Sequence, residues 1–216
     1  AYADSHELPE YALLACILSG ANLNFHSLRY ISERAELGER REALLGVTIP
    51  ERQGEYLRFC KLIGDRAVTE FNYRVAGEKA HIFVGLALSG GDAERGQILK
   101  LLRGGGYEVV DLTEDEVAKQ HVRYMVGGRP QRELRESVFA FEFPEAPGAL
   151  RDFLVQLGTR WNITLFHYRS YGTDYGRVLV AFENVAGDEL FAQHVQDLGY
   201  EWHEVTDSPA YKHFLA

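Results

Sequence analysis

The stretch TIPERQGEYLRFCKLIGDRAVTEFNYR, residues 48–74, returns later in the same chain as EFPEAPGALRDFLVQLGTRWNITLFHYR, residues 142–169. The first part aligns at an offset of 94 residues through the pairs Pro50/Pro144, Gly54/Gly148, Phe59/Phe153 and Gly64/Gly158. One inserted residue moves the offset to 95 for the pairs Phe71/Phe166, Tyr73/Tyr168 and Arg74/Arg169. A unit of this length exceeds a solenoid repeat, roughly 20–50 residues, and matches a small globular domain. We therefore predict two similar domains, whose interface is a natural place for a small-molecule site.

Each repeat unit has the pattern β-α-β-β-α-β. In the first unit the pattern predicts strands at 43–49, 67–75, 81–88 and 107–111, helices at 51–63 and 94–103, and a helical appendix at 114–122. In the second it predicts strands at 137–143, 161–169, 176–183 and 200–204, helices at 147–157 and 188–198, and a last helical turn at 208–214. The fold class is therefore α+β: two split βαβ (ferredoxin-like) domains, each a four-stranded antiparallel sheet with two helices on one face. Because this fold leaves exposed edges and helix-free faces, we expect the domains to lie side by side and share one sheet.

The first 43 residues stand outside the repeat. An apolar run at 13–18, followed by Ser19-Gly20, predicts a buried strand that ends in a loop. Apolar residues then recur at helical spacing, which predicts an amphipathic helix at 24–40.

Composition excludes several classes of partner. The chain has 216 residues and a formal net charge of −9, which disfavours nucleic acid and anionic membranes. An RNA-binding module shares the β-α-β-β-α-β order, but it needs a basic surface that this charge does not provide. The two cysteines have no metal-ligand spacing, and the eight histidines form no metal set. No apolar run of about 18 residues and no signal peptide are present, so we predict a cytoplasmic protein.

The two repeats and the segment VVDLTEDEVAKQHVRYMVGGRP between them closely resemble a known family. The motifs IPE-x-x-G…EFNYR and FPE-x-PGAL…LFHYR are similar to the C-terminal regulatory part of biosynthetic threonine dehydratase (threonine ammonia-lyase), a tandem of ACT-like domains. The resemblance covers residues 8–216 and implies ACT-like domains at 44–134 and 135–216 after a remnant of the catalytic domain at 1–43. It also implies feedback inhibition by isoleucine, activation by valine and a tetrameric parent enzyme. The alternative function is that of a domain that serves mainly in oligomerisation of the same enzyme.

The resemblance also concerns the cofactor. SGANLNFHSLRYISER, residues 19–34, is similar to the end of the family's pyridoxal-phosphate-dependent catalytic domain, where the serine matching Ser19 faces the pyridine nitrogen. No lysine precedes Lys61, and a glycine-rich phosphate cradle is absent. We therefore expect a regulatory fragment that is not an enzyme by itself and has no cofactor of its own. Ala1–Glu7 has no counterpart in the family.

ACT-like domains bind amino acids where the loop after the first strand meets the first helix. A helix N-terminus offers free N–H groups to a carboxylate, and a glycine there allows close approach. The resemblance places Gly54 and Gly148 at this point. The complete set of candidate effector-binding residues is Gly54, Glu55, Tyr56, Leu57, Asn72, Tyr73, Gly148, Ala149, Leu150, His167 and Tyr168.

Each candidate also has a purely structural interpretation. The two glycines can simply shape the turn into the helix, and Tyr56 and Leu150, which match across the repeat, can simply pack in the core. Asn72 and His167 can form the contact between domains. The glutamates after the two prolines fit the first turn of a helix, where an acid opposes the positive end of the dipole, or they can accept a ligand ammonium.

Overall fold

The computed structural model describes residues 25–75, 77, 79–125, 127, 129–130, 132–170 and 175–216. The chain divides into two compact parts, Ala1–Ala35 and Glu36–Ala216, and both repeat units lie in the second part. The predicted strand at 13–18 and Ser19 lie outside the described residues. Helix α1, Phe25–Gly38, corresponds to the helix predicted at 24–40.

The remaining elements follow the predicted order in both repeat units. The first unit contains β1 (Glu42–Pro50), α2 (Glu55–Ile63), β2 (Val68–Arg74), β3 (Lys79–Ala87), α3 (Gly91–Gly104), β4 (Glu108–Asp111) and α4 (Glu116–Gln120), with a 3-10 turn at Val122–Tyr124. The second contains β5 (Glu136–Pro144), α5 (Ala149–Leu157), β6 (Ile163–Arg169), β7 (Tyr175–Glu183), α6 (Glu189–Asp197), β8 (Glu201–Glu204) and α7 (Pro209–Phe214). Among the described residues, no helix is long and apolar enough to cross a membrane.

All eight strands form one sheet in the order β4-β1-β3-β2-β6-β7-β5-β8, and every neighbouring pair is antiparallel. The two units meet at β2 and β6, where Phe71 pairs with Tyr168 and Tyr73 pairs with Phe166. The continuous sheet expected from the sequence is therefore confirmed. Its outer strands, β4 and β8, are only four residues long and carry acidic side chains, which discourages further edge pairing.

Helices α2, α3, α5 and α6 pack on one face of the sheet over a single apolar core. Alternate residues of the strands, such as Leu45 and Val47 of β1, point into this core, which also contains Phe59 of α2 and Phe153 of α5. Because the core runs across both units without a break, the two repeats behave as one packed body. The cross-unit ring contact of Phe71 with Phe166, with centroids 5.9 Å apart, lies at its centre.

The other face of the sheet carries the two short appendices. The α4 segment packs on the first unit through Ala118, against Leu44 and Phe83. Helix α7 packs on the second unit through Tyr211, against Val138 and neighbouring residues. Sequence periodicity predicted the appendices but not their position, so the face expected to be bare is partly covered.

The first helix of each repeat begins later than predicted. The prediction placed helix starts at 51 and 147, but α2 begins at Glu55 and α5 at Ala149. The preceding glycine of each loop has a φ of +83°, a left-handed conformation that interrupts the helix before it. Glu51 and Glu145 therefore belong to the loops, and the prediction that they are first-turn helix acids is wrong.

Candidate functional site: two clefts between the repeat units

The first cleft lies between the β1–α2 loop of the first unit and the end of α5 in the second. It encloses about 430 Å³, counting space open to solvent. We call it the Gly54 cleft; its lining residues are Ile49, Pro50, Glu51, Arg52, Gln53, Gly54, Tyr56, Leu57 and Tyr73 from the first unit and Leu154, Gly158, Thr159, Trp161, Asn162 and Ile163 from the second.

The second cleft repeats this arrangement with the units exchanged. It encloses about 290 Å³ on the same measure and lies between the β5–α5 loop and the end of α2. We call it the Gly148 cleft; its lining residues are Glu145, Ala146, Gly148, Leu150, Arg151 and Tyr168 from the second unit and Cys60, Ile63, Gly64, Arg66 and Val68 from the first. Both figures include space open to solvent; the cavity volumes proper are only about 30 and 10 Å³, so each cleft is narrow.

The clefts share the pair of helices α2 and α5. The N-terminal part of α2, with Tyr56, lines the Gly54 cleft, whereas its C-terminal part, with Cys60 and Ile63, lines the Gly148 cleft. Helix α5 does the reverse, with Leu150 in one cleft and Leu154 in the other. A shift of α2 against α5 therefore changes both clefts together.

Gly54 and Gly148 cap the two helices in the same way. Each has a φ of +83° and caps without a side-chain hydrogen bond, so the first turn presents backbone N–H groups at the cleft. A Cβ at Gly54 would lie 3.3 Å from Thr159 Cγ2 of the other unit, and a Cβ at Gly148 would lie 3.1 Å from Asp65 Oδ1. The left-handed conformation favours glycine at both positions, and a Cβ there would be in tight contact with the opposite unit.

Each cleft contains a buried tyrosine that is hydrogen-bonded to a half-buried glutamate. The Tyr73 hydroxyl lies 2.8 and 2.9 Å from the two carboxylate oxygens of Glu51 and donates to that group. The Tyr168 hydroxyl donates to Glu145 Oε1 at 2.5 Å. Burial raises the pKa of Glu51 above its ordinary value of 4.5, against the lowering effect of the Tyr73 hydrogen bond. Burial likewise raises the pKa of both tyrosines far above 10, so both remain hydrogen-bond donors.

Tyr56 fills the inner wall of the Gly54 cleft. Its ring packs at centroid distances of 5.0 Å from Phe71 and 5.1 Å from Phe166 of the other unit. Only 7% of the residue is exposed, and its hydroxyl has no hydrogen-bond partner among the described residues. Leu150 takes the matching place in the Gly148 cleft, so one wall is aromatic and the other aliphatic.

The structure brings together seven of the candidate residues: Gly54, Tyr56, Leu57 and Tyr73 line one cleft, and Gly148, Leu150 and Tyr168 line the other. Glu55 does not line the Gly54 cleft, since its carboxylate accepts hydrogen bonds from Tyr107 at 2.8 Å and Arg58 at 2.6 Å. Ala149 is absent from the lining of the Gly148 cleft.

Asn72 and His167 lie on the opposite face of the sheet, away from both clefts. They face each other across the β2–β6 junction, one residue out of phase with the core-facing Tyr73 and Phe166. Asn72 is buried with an unpartnered Oδ1 among the described residues. Burial, with a smaller effect of the nearby Arg169 charge, lowers the pKa of His167 below its ordinary 6.5. This placement fits the contact between units that the sequence left as an alternative.

Sequence reasoning missed the half of each cleft that the other unit supplies. Thr159 and Trp161 follow the glycine that ends α5, and Arg66 follows the glycine that ends α2. The matched pair Gly64 and Gly158 was the available signal, because each marks a helix end. The sequence could not show that this end meets the loop of the partner unit.

The described residues do not suit pyridoxal phosphate or a metal. None of the five lysines lines either cleft, so neither cleft offers an amine for a Schiff base. Within the described ranges, no group of three or more His, Cys, Asp or Glu side chains is arranged to hold a metal ion. Ser19, the one residue that the family resemblance connects with the cofactor, lies outside these ranges.

The matching family and two similar proteins all concern threonine dehydratase. The family described as the C-terminal regulatory domain of threonine dehydratase matches residues 33–122 and again residues 127–215. The biosynthetic L-threonine dehydratase of Escherichia coli (strain K12) is 63% identical over 204 residues, 94% of this chain and 40% of that protein. The mitochondrial threonine dehydratase of Saccharomyces cerevisiae is 42% identical over 209 residues, 92% of this chain and 36% of that protein. The chain thus spans 36–40% of the length of these two relatives.

Proposed function

This chain belongs to the family of C-terminal regulatory domains of threonine dehydratase, and from that premise we propose that it senses isoleucine and valine for a threonine ammonia-lyase. The parent enzyme would convert threonine to 2-oxobutanoate and ammonia with pyridoxal phosphate and would assemble as a tetramer. The effectors would occupy the Gly54 and Gly148 clefts. The domain boundaries at 43/44 and 134/135 belong to the same proposal.

The observation that carries the proposal is the repetition of one cleft design in both units. Each cleft places the N-terminus of a helix behind a left-handed glycine, which suits an α-carboxylate. Each also has a large apolar side chain in its wall, Tyr56 in one cleft and Leu150 in the other, which suits a branched aliphatic side chain. Two similar but unequal clefts suit two similar effectors.

Regulation requires that the effector bind two states with different affinity. Both clefts are narrow and are closed by contacts between the units, including Gln53 Nε2 with the Arg160 carbonyl at 2.6 Å and Arg151 with Asp65. An amino acid that enters a cleft must move the helix end of one unit away from the loop of the other unit. Since α2 and α5 line both clefts, such a movement in one cleft also changes the other.

Isothermal titration calorimetry on the 216-residue chain tests the proposal. We expect isoleucine and valine to bind, and Tyr56→Ala and Leu150→Ala each to weaken one binding event. Leu190→Ala is the matched control, since Leu190 is exposed and lines neither cleft. If the chain gives no heat of binding at millimolar isoleucine while its circular dichroism spectrum is that of a folded α+β protein, the proposal is refuted. Sedimentation with and without isoleucine tests the alternative of a role limited to assembly, which predicts no effect of the amino acid.

A further inference from the structure

The carboxylates of Glu51 and Glu145 occupy matching places but have different surroundings. Tyr73 lies within hydrogen-bond distance of both oxygens of Glu51. Tyr168 reaches only Oε1 of Glu145, and Glu145 Oε2 is buried without a hydrogen-bond partner among the described residues. A buried carboxylate oxygen without a donor is costly, and such groups are rare in folded proteins.

The residue opposite the carboxylate explains how Glu145 reaches this position. Gly176 pairs with Phe143 in the second unit as Ala80 pairs with Ile49 in the first. A Cβ at Gly176 would lie 2.7 Å from Glu145 Oε2, closer than real contacts allow. Glycine therefore lets the carboxylate sit deep in the second unit, with one oxygen outside the reach of its tyrosine. The first unit has a Cβ at the corresponding place.

The cations near Glu145 have other partners. Arg66 donates to the Ile63 carbonyl at 2.8 Å and to Glu94 at 3.1 Å, although its side chain lines the Gly148 cleft. Arg151 pairs with Asp65 and Asp152. The lining of the cleft therefore contains one carboxylate and two guanidinium groups, which is complementary to a zwitterion.

We propose that Glu145 accepts the ammonium group of an amino acid in the Gly148 cleft, an inference that rests on the proposed function. Gly176 holds the carboxylate in position for this role. The N-terminus of α5 then faces the ligand carboxylate. An ammonium supplies the donor that Glu145 Oε2 does not find among the described residues. The Gly148 cleft therefore selects amino acids against the corresponding 2-oxo acids, which have the same carbon skeleton but no cation. Glu51, already bound through both oxygens, does not have this role.

The test compares L-isoleucine with 3-methyl-2-oxopentanoate, its analogue without the ammonium, on the wild-type chain and on Glu145→Gln and Glu51→Gln. Calorimetry counts the binding events. In a Trp202→Phe background, which removes the other tryptophan, fluorescence of Trp161, which lines the Gly54 cleft, reports that cleft separately. We expect Glu145→Gln to weaken one isoleucine site about tenfold or more, since it replaces a charged acceptor of the ammonium by a neutral amide. The Trp161 response should stay, and the 2-oxo acid should not bind at the Gly148 cleft. Glu51→Gln should leave the preference for isoleucine over the 2-oxo acid unchanged at the Gly148 cleft. Leu190→Ala, at a residue that is exposed and lines neither cleft, is the matched control and should bind isoleucine as the wild type does.

The outcomes separate this inference from the function on which it rests. If isoleucine binds Glu145→Gln as it binds the wild type, or if the 2-oxo acid binds the Gly148 cleft equally well, the inference is wrong and the sensor function stands. If no amino acid binds the wild-type chain, both are wrong. The comparison of the two ligands needs no variant, so it decides the question even where Glu145→Gln fails to fold.

Discussion

The buried ion pair between Arg74 and Glu136 joins the two repeat units, and its removal should be strongly destabilising. Arg74 ends β2 of the first unit, and its guanidinium lies 2.5 and 2.9 Å from the two carboxylate oxygens of Glu136 on β5 of the second. It also donates to the Leu215 carbonyl at 2.6 Å, next to α7. The two side chains are only 6% and 2% exposed. Substitution Arg74→Ala leaves the buried carboxylate without its cation.

The magnitude follows from this burial. Removing one partner of a buried pair costs about 3–5 kcal/mol, because the other charge stays uncompensated. For a protein of this size each kcal/mol lowers the melting temperature by roughly 2–4 °C, so we expect a decrease of roughly 6–20 °C. Urea denaturation followed by circular dichroism measures the change in unfolding free energy. The matched control is Arg132→Ala, since Arg132 forms the same kind of pair with Glu183 but is 59% exposed; there we expect about 1 kcal/mol or less.

A double variant identifies the cause. Arg74→Met combined with Glu136→Gln removes both charges, so it should be more stable than Arg74→Met alone. A cost for Arg74→Ala no larger than that for Arg132→Ala would refute the reasoning, because it would mean that the pair is solvated. Equal stability of the single and double variants would show that lost packing, and not the unpaired charge, is responsible.

Three further predictions concern conformation, pH and burial. Gly54→Ala should lower the free energy of unfolding by about 1 kcal/mol or more, because φ at this residue is +83°. The new methyl group should also weaken isoleucine binding, because it contacts Thr159 across the cleft. Unchanged affinity in a folded variant would contradict the cleft assignment. Burial raises the pKa of Glu136, but hydrogen bonds led by the one from Arg74 outweigh this effect and hold the pKa below 4.5. The stabilisation by this carboxylate is therefore present above pH 4.5 and is lost as the pH falls through the pKa of the folded state. Glu136→Gln should flatten this part of the plot of unfolding free energy against pH, and an unchanged slope would be inconsistent with this reasoning. In a Cys16→Ser background, Cys60 should react with a thiol reagent only on unfolding, because it is buried and burial raises its pKa; rapid modification without denaturant would exclude this.

The order and type of the elements were available from the sequence because each repeat is locally consistent. Strand segments such as 70–75 alternate polar and apolar residues, and glycines such as Gly64 and Gly158 end the helices. Because the unit is duplicated, each element occurs twice with the same pattern. Helix starts were less accurate, because Pro-Glu resembles a first helical turn and only the backbone conformation of the following glycine delays the helix.

The candidate site was predicted in part, for a related reason. A helix N-terminus with a glycine is a local feature, so Gly54, Gly148 and their neighbours Tyr56 and Leu150 could be identified along the chain. The orientation of a strand residue depends on the register between strands, where a shift of one residue exchanges the two faces of a sheet. Asn72 was therefore grouped with the cleft residues, although it lies on the other face.

By itself, the sequence determined that this chain is a tandem of two β-α-β-β-α-β units with a loop glycine before the first helix of each, since these features depend on neighbours along the chain. Only the tertiary structure decided that β2 pairs with β6, and with it that each loop faces the helix end of the other unit. That pairing joins segments about 95 residues apart, so no local pattern encodes it. The unequal surroundings of Glu51 and Glu145 arise in the same way, because the deep position of Glu145 depends on Gly176, a residue on another strand.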